Sequence, residues 1–263
     1  MNGLRIACML YAANVRARMQ YRFNFLLFTL FASVVTVAEF MTLAVVLHLF
    51  GSIQGWSIWE IGYLYGVLMT AKYVYRAFAS GVNNFEPYLV NGLLDQLLLR
   101  PMPLLMAVIT SRTRMVGGEL LQSLAVLILC IVRLWRDGRV DGWIVPETAL
   151  AVLSGAVIMF SVGVATAAAG FWITRVDDLS VFTDNAATTA CQYPLSLYPD
   201  WLRTFLFAVV PYGFINYVPA MYAVRGAWGI WAIGVTPAVA AAALAASLAL
   251  WRRGVAKYQS AGT

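Results

Sequence analysis

A chain of 263 residues that is 62% hydrophobic and only 11% charged, with a mean hydropathy of +0.76, is not a soluble domain, for which roughly 25% charged residues are expected. Its net charge of +6 does not point to nucleic acid, because the arginines gather at the ends of apolar runs, where topology signals and anionic-lipid contacts are expected. Three scattered cysteines, Cys8, Cys130 and Cys191, are too few and too far apart for a disulfide framework or a metal cluster.

Residues 1–22 carry Arg5, Arg16, Arg18 and Arg22 with no apolar core, unlike a cleavable signal. Leu4, Cys8, Tyr11, Val15 and Met19 recur at helical spacing, which predicts an amphipathic helix lying in the headgroup plane. Runs of about 20 apolar residues can cross the hydrocarbon core as helix. Such runs are predicted over about Phe23–Leu49 (span one), Ile58–Phe78 (span two), Met115–Leu134 (span three), Thr148–Ile173 (span four) and Trp228–Trp251 (the last span).

Between spans two and three lies residues 81–103, too short to cross a membrane and fenced by prolines. Leu93, Leu94, Leu97 and Leu98 fall at helical spacing, while Asp95 and Gln96 point elsewhere. Pro101 and Pro103, just past Arg100, stop this helix, because the residue before a proline resists helical geometry. Its apolar face either rests on lipid or docks into a hydrophobic groove on a soluble partner.

The stretch from Leu179 to Val224 holds two candidate segments. Arginines flank span one on its N-terminal side, and Arg252, Arg253 and Lys257 follow the last span, so both termini read as cytoplasmic and the number of crossings as even. Lys72, Arg76, Arg100, Arg112, Arg114 and Arg175 agree; Arg133, Arg136 and Arg139 fall on the opposite side, diluted by Asp137 and Asp141. Even parity lets one of the two segments cross. Leu179–Leu195 is read as span five. Trp201–Val224, interrupted by Pro211 and Pro219 with Asn216 between them, is read as a re-entrant outer hairpin. A single kinked crossing through Trp201–Val224 is the alternative.

No catalytic constellation appears. There is no G-x-x-x-x-G-K-[ST] phosphate loop, no G-x-S-x-G elbow and no H-E-x-x-H, and His48 is the one histidine. The chain is expected not to be an enzyme and to bind neither metal nor cofactor. Charges inside spans are costly and are functional candidates. Glu39 and Lys72 lie within reach of an ion pair, Glu119 sits near Arg112 and Arg114, and Asp184 with Asn185 lies in span five without a neighbouring cation in sequence.

Five stretches stand out in order along the chain: Gly92-Leu93-Leu94-Asp95 with Leu98-Leu99-Arg100-Pro101, Tyr193-Pro194-Leu195-Ser196 with Tyr198-Pro199, Pro211, Asn216-Tyr217-Val218-Pro219 and the ending Tyr258-Gln259-Ser260-Ala261-Gly262. On these residues the chain resembles the ABC-2 type permeases, the membrane subunits of ABC transporters whose ATPase is a separate chain. It is most similar to a branch paired with drug- or sodium-export-type ATPases. The resemblance implies an all-α membrane protein of six transmembrane helices forming one domain over residues 1–263. It implies a bacterial inner-membrane location, a second permease subunit (identical or related), and ABC ATPase subunits that carry the ATP and Mg.

It also implies that Leu93, Leu94, Leu97 and Leu98 dock the ATPase as a coupling helix, with Asp95, Arg100 and Pro101 setting its orientation. Glu39, Asp184, Asn185, Pro211, Asn216 and Pro219 become pathway or gate candidates. A self-sufficient secondary transporter would instead show inverted repeats and aligned charges, and an integral-membrane enzyme a catalytic cluster at one depth; the sequence shows neither.

Overall fold

The computed structural model describes residues 55–111, 117–173 and 175–258, with scattered helical positions between 9 and 45. The interfacial helix, most of span one, Glu39, His48, Arg112 and Arg114 lie outside the described residues. Among those described there are helices and no strand; the helices are numbered here in chain order.

Helix α1, Ile58–Ala79, opens on a capping box. The Glu60 carboxylate accepts the Ser57 N–H at 2.6 Å, and the Ser57 hydroxyl accepts the Glu60 N–H at 3.4 Å, satisfying donors that a helix start leaves bare. Most of α1 is buried, including Glu60, Lys72 and Tyr63. A helix apolar on every side belongs in an interior, and α1 is packed between α5 (Gly117–Arg136) and α6 (Ile144–Ile173). Gly66 permits the approach of α5, since a Cβ there would stand 2.9 Å from the Leu127 Cα. On its other side α6 packs along α11, Trp231–Lys257.

Among the described residues, three helices have the length and apolar composition to cross a membrane, namely α5, α6 and α11. Only 28% of the α5 window and 17% of the α11 window are buried, so much of each helix faces outward from the described core. Among the described residues three spans, or up to four, are found, and span one of the six expected from the sequence lies mostly outside them. Helix α1 is 22 residues long but carries Glu60, Lys72 and Arg76. The segment read as span five is three successive five-residue turns: α7 (Asp177–Val181), a π-helical turn (Phe182–Ala186) and α8 (Ala187–Cys191). That is a rise of about 22 Å against a hydrocarbon core of about 30 Å. Pro194 lies beyond its end, and a 3-10 turn, Leu195–Leu197, follows.

The proposed hairpin consists of α9 (Asp200–Ala208), a 3-10 turn (Pro211–Phe214) and α10 (Tyr217–Ala223). Its two limbs are bent by 76° at the break, and they make a fourth candidate span only if taken as one. Pro211 opens the 3-10 turn, and Pro219 falls in the first turn of α10; both are positions where a missing N–H costs little.

The connections define two ends of the molecule. At the Glu60 end meet the start of α1, the α5–α6 loop and the α10–α11 link. Trp135, Trp143, Trp228 and Trp231 stand exposed there, as in an interfacial aromatic belt. At the Asp95 end meet the short helices α2 (Glu86–Val90), α3 (Leu93–Leu98) and α4 (Leu104–Ser111), with the C-terminal ends of α6 and α11.

Candidate functional site

The segment between α1 and α5 is held firmly to the bundle. Gly81 turns the chain out of α1 where a Cβ would run into the Val108 carbonyl group. Phe85 then lodges between Phe171 of α6 and Trp251 of α11, with ring centroids 5.3 and 5.2 Å away. The Glu86 carboxylate accepts the N–H groups of Val176 and Asp177 at 2.7 and 2.8 Å, joining α2 to the start of α7. Gly92 takes a left-handed φ of 65°, which glycine adopts without the steric cost of a Cβ, and so starts α3.

Within α3 the four leucines do not share one role. Leu94 is fully buried and Leu97 nearly so, in a cluster with Phe85, Val108 and Trp251. Leu93 is half-buried, whereas Leu98 is exposed and the following Leu99 is 87% exposed. The single docking face expected from helical spacing is thus corrected, because Leu94 and Leu97 anchor α3 to the protein itself. The outward apolar surface is Val90, Leu98 and Leu99, with Arg100 and Pro101 exposed beside it. Asp95 accepts a hydrogen bond from the Tyr258 hydroxyl at 3.1 Å, so two residues far apart in sequence tie α3 to the end of α11. Glu86 was not singled out by the sequence; its sole signal was a carboxylate at the start of a proline-containing helix.

Asp184, which lacks a cation nearby in sequence, has two in space. Its carboxylate pairs with Arg76 and lies 4.0 Å from the Lys72 ammonium. Its backbone carbonyl accepts from Lys72 at 2.9 Å and from the Thr188 hydroxyl at 2.5 Å. The π turn that carries Asp184 widens the helix by one residue and frees carbonyls from the regular pattern; such turns gather at functional positions. Beside the pair opens a polar cavity of about 250 Å³, lined among others by Asn83, Asn84, Ser180 and Asn185. Tyr75 donates its hydroxyl hydrogen bond to Asn83 there. Asp184 and Asn185 are thus together at one cavity, and Pro211, Asn216 and Pro219 are elsewhere.

Asn216 is buried and donates to the carbonyls of Leu64 and Cys191, at 3.1 and 2.6 Å, joining the hairpin to α1 and α8. Ile215 reaches the bundle's middle, where its Cγ2 would lie 2.5 Å from a Cβ on Gly155. From there α10 runs back to the Glu60 end. Arg225 donates to the Gly55 carbonyl at 2.7 Å, lies 3.9 Å over the Trp56 ring and pairs with Glu60 at 3.4 Å. Arg139 pairs with the other Glu60 oxygen at 3.3 Å. One of the three arginines that conflict with the charge rule is therefore neutralised locally.

Lipid-length apolar helices around a buried, charge-bearing α1 define a multi-pass helical membrane protein. A family profile described as ABC-2 family transporter protein matches residues 33–262. The chain belongs to that family and is a membrane permease of an ABC transporter, a transport subunit whose family works with ABC ATPases. No curated protein and no solved structure gives a significant match.

Proposed function

We propose that the chain is the permease subunit of an ATP-driven exporter in a bacterial cytoplasmic membrane, with both termini in the cytoplasm. It forms the substrate route with a second permease, identical or related, and takes its drive from separate ATPase subunits that bind ATP and Mg. The observation that carries this reading is the surface at the Asp95 end. Val90, Leu98 and Leu99 project from a segment braced to α1, α6, α7 and α11, so a push on that surface is passed to the bundle rather than lost in a loop. Residues 81–103 are the coupling segment, with Asp95 and Arg100 setting its pose. The α7–α8 segment runs antiparallel to α1 from the Glu86 level to the Leu64 level, which favours it as the fifth crossing. The hairpin of residues 201–224 then dips in from the outer side as a gate hinged near Pro211, Asn216 and Pro219, and Asp184 and Asn185 border the route.

The test is copurification with the ATPase. Leu98→Asp and Leu99→Asp change exposed positions, so both variants are expected to stay monodisperse and to lose at least about nine-tenths of the bound ATPase, the effect of removing an apolar anchor worth about 1.4 kcal/mol or more. Leu94→Asp instead places a carboxylate in the core and is expected to cost the fold. Wild-type amounts of ATPase on both surface variants would refute the docking role.

A further inference from the structure

Among the described residues, helix α5 carries one stripe that no other element covers. Ala125, Ile128, Leu129, Val132, Arg133 and Arg136 lie one, three or four residues apart, so they share a helix face, and all six are exposed. With Trp59 of α1 they line a groove of about 560 Å³. From Ala125 to Val132 the wall is apolar over about 10 Å of helical rise. The two arginines close it at the Glu60 end. The Arg133 guanidinium carbon stands 5.6 Å from the centre of the Trp59 ring, which orients it over the groove. Among the described residues neither Arg133 nor Arg136 forms an ion pair, whereas the next arginine, Arg139, is paired with Glu60.

Trp135 and Trp143, both exposed, place this turn at the membrane interface. An apolar groove in the hydrocarbon with two guanidinium groups at headgroup level is complementary to an acyl chain joined to a phosphate. Guanidinium donors match phosphate oxygens in pairs, and each basic side chain at such a surface favours an anionic lipid. It also gives Arg133 and Arg136 a reason to sit where the charge rule does not expect them.

We propose that the groove between α1 and α5 binds a phospholipid of net negative charge. Its phosphate lies between Arg133 and Arg136, and one acyl chain runs along Ala125, Ile128, Leu129 and Val132. The site lies away from the ATPase-facing surface and does not depend on the coupling reading above.

The experiment is native mass spectrometry of the full chain in mild detergent, supplied with phosphatidylglycerol or phosphatidylcholine. The wild type is expected to retain phosphatidylglycerol in preference. The Arg133→Gln/Arg136→Gln variant is expected to lose retention of that lipid on the order of 10-fold, with phosphatidylcholine unchanged. Leu129→Trp, which fills the groove and keeps both arginines, is expected to lower phosphatidylglycerol as well, and carries the test alone if the charge variant aggregates. Equal phosphatidylglycerol on wild type and variants, or an equal loss of both lipids, would overturn the proposal. So would efficient Ile128→Cys crosslinking between copies in membranes, since a second copy would then cover the face.

Discussion

Asp184 shows what one carboxylate does in this protein. Its side chain is 15% exposed and that of Arg76 16%, so the pair is shielded from bulk water yet borders a polar cavity. Removing one partner of a fully buried pair costs more than replacing both, because the remaining charge is left uncompensated. Asp184→Asn is therefore expected to lower stability by about 2 kcal/mol, below the fully buried range because of the adjoining cavity, and Asp184→Asn/Arg76→Gln to recover part of that. Thermal unfolding in detergent reads both; a double variant weaker than the sum of the singles would contradict the pairing. The sequence marked Asp184 as a costly intramembrane charge but not its partner, because Arg76 is 108 residues away and only the packing of α7–α8 on α1 brings them together. The leucines of α3 teach the complementary lesson. Helical spacing put Leu94 and Leu98 on one apolar face, but spacing does not reveal that this face is divided between the protein's own core and the outside.

The coupling segment is an element made by its ends more than by its helices. Helix α3 has six residues, too few for an isolated helix to be stable in water. Its order comes from Gly81 and Gly92, from Phe85 in its aromatic slot, and from Glu86 and Asp95 bonded to other elements. Gly81 is the tightest of these points. Gly81→Ala sets a methyl group against main chain rather than a movable side chain, and overpacking of this kind costs about 1–3 kcal/mol. The expected outcome is a lowered unfolding temperature with reduced ATPase capture, even though position 81 lies well away from the exposed leucines. An unchanged unfolding temperature would show that the turn has slack. Prolines at 101 and 103 were enough to place the end of α3 from sequence. The bracing was not legible, since a glycine's neighbour is a fact of tertiary structure.

At the level of the whole molecule, long apolar runs made α5, α6 and α11 legible, and 62% hydrophobic content settled the solvent. The number of crossings was harder to read. Helix α1 is apolar enough by eye to be a lipid-facing span, yet it is the buried centre, which is why it can carry Glu60, Lys72 and Arg76. Residues 177–224 have mixed polarity, and Asp184, Thr188 and Asn216 among them find partners within the protein. Topology is testable at Asp200, whose side chain is 88% exposed. In a chain freed of its native cysteines, Asp200→Cys is expected to react with a membrane-impermeant maleimide from outside intact cells. Reaction only after the cytoplasmic side is opened would reverse the assignment of the fifth crossing and make residues 201–224 the span.

The Glu60 carboxylate has a consequence for the time course of synthesis. Its partners Arg139 and Arg225 follow it by 79 and 165 residues. At about 5–20 residues per second, the ribosome delivers the first roughly 4–16 seconds after Glu60 and the second roughly 8–33 seconds after it. During that interval the nascent chain holds an acidic group at the rim of α1 with its final neighbours still unmade. The link between α10 and α11 thus completes the polar environment at the start of α1, long after α1 itself has been made.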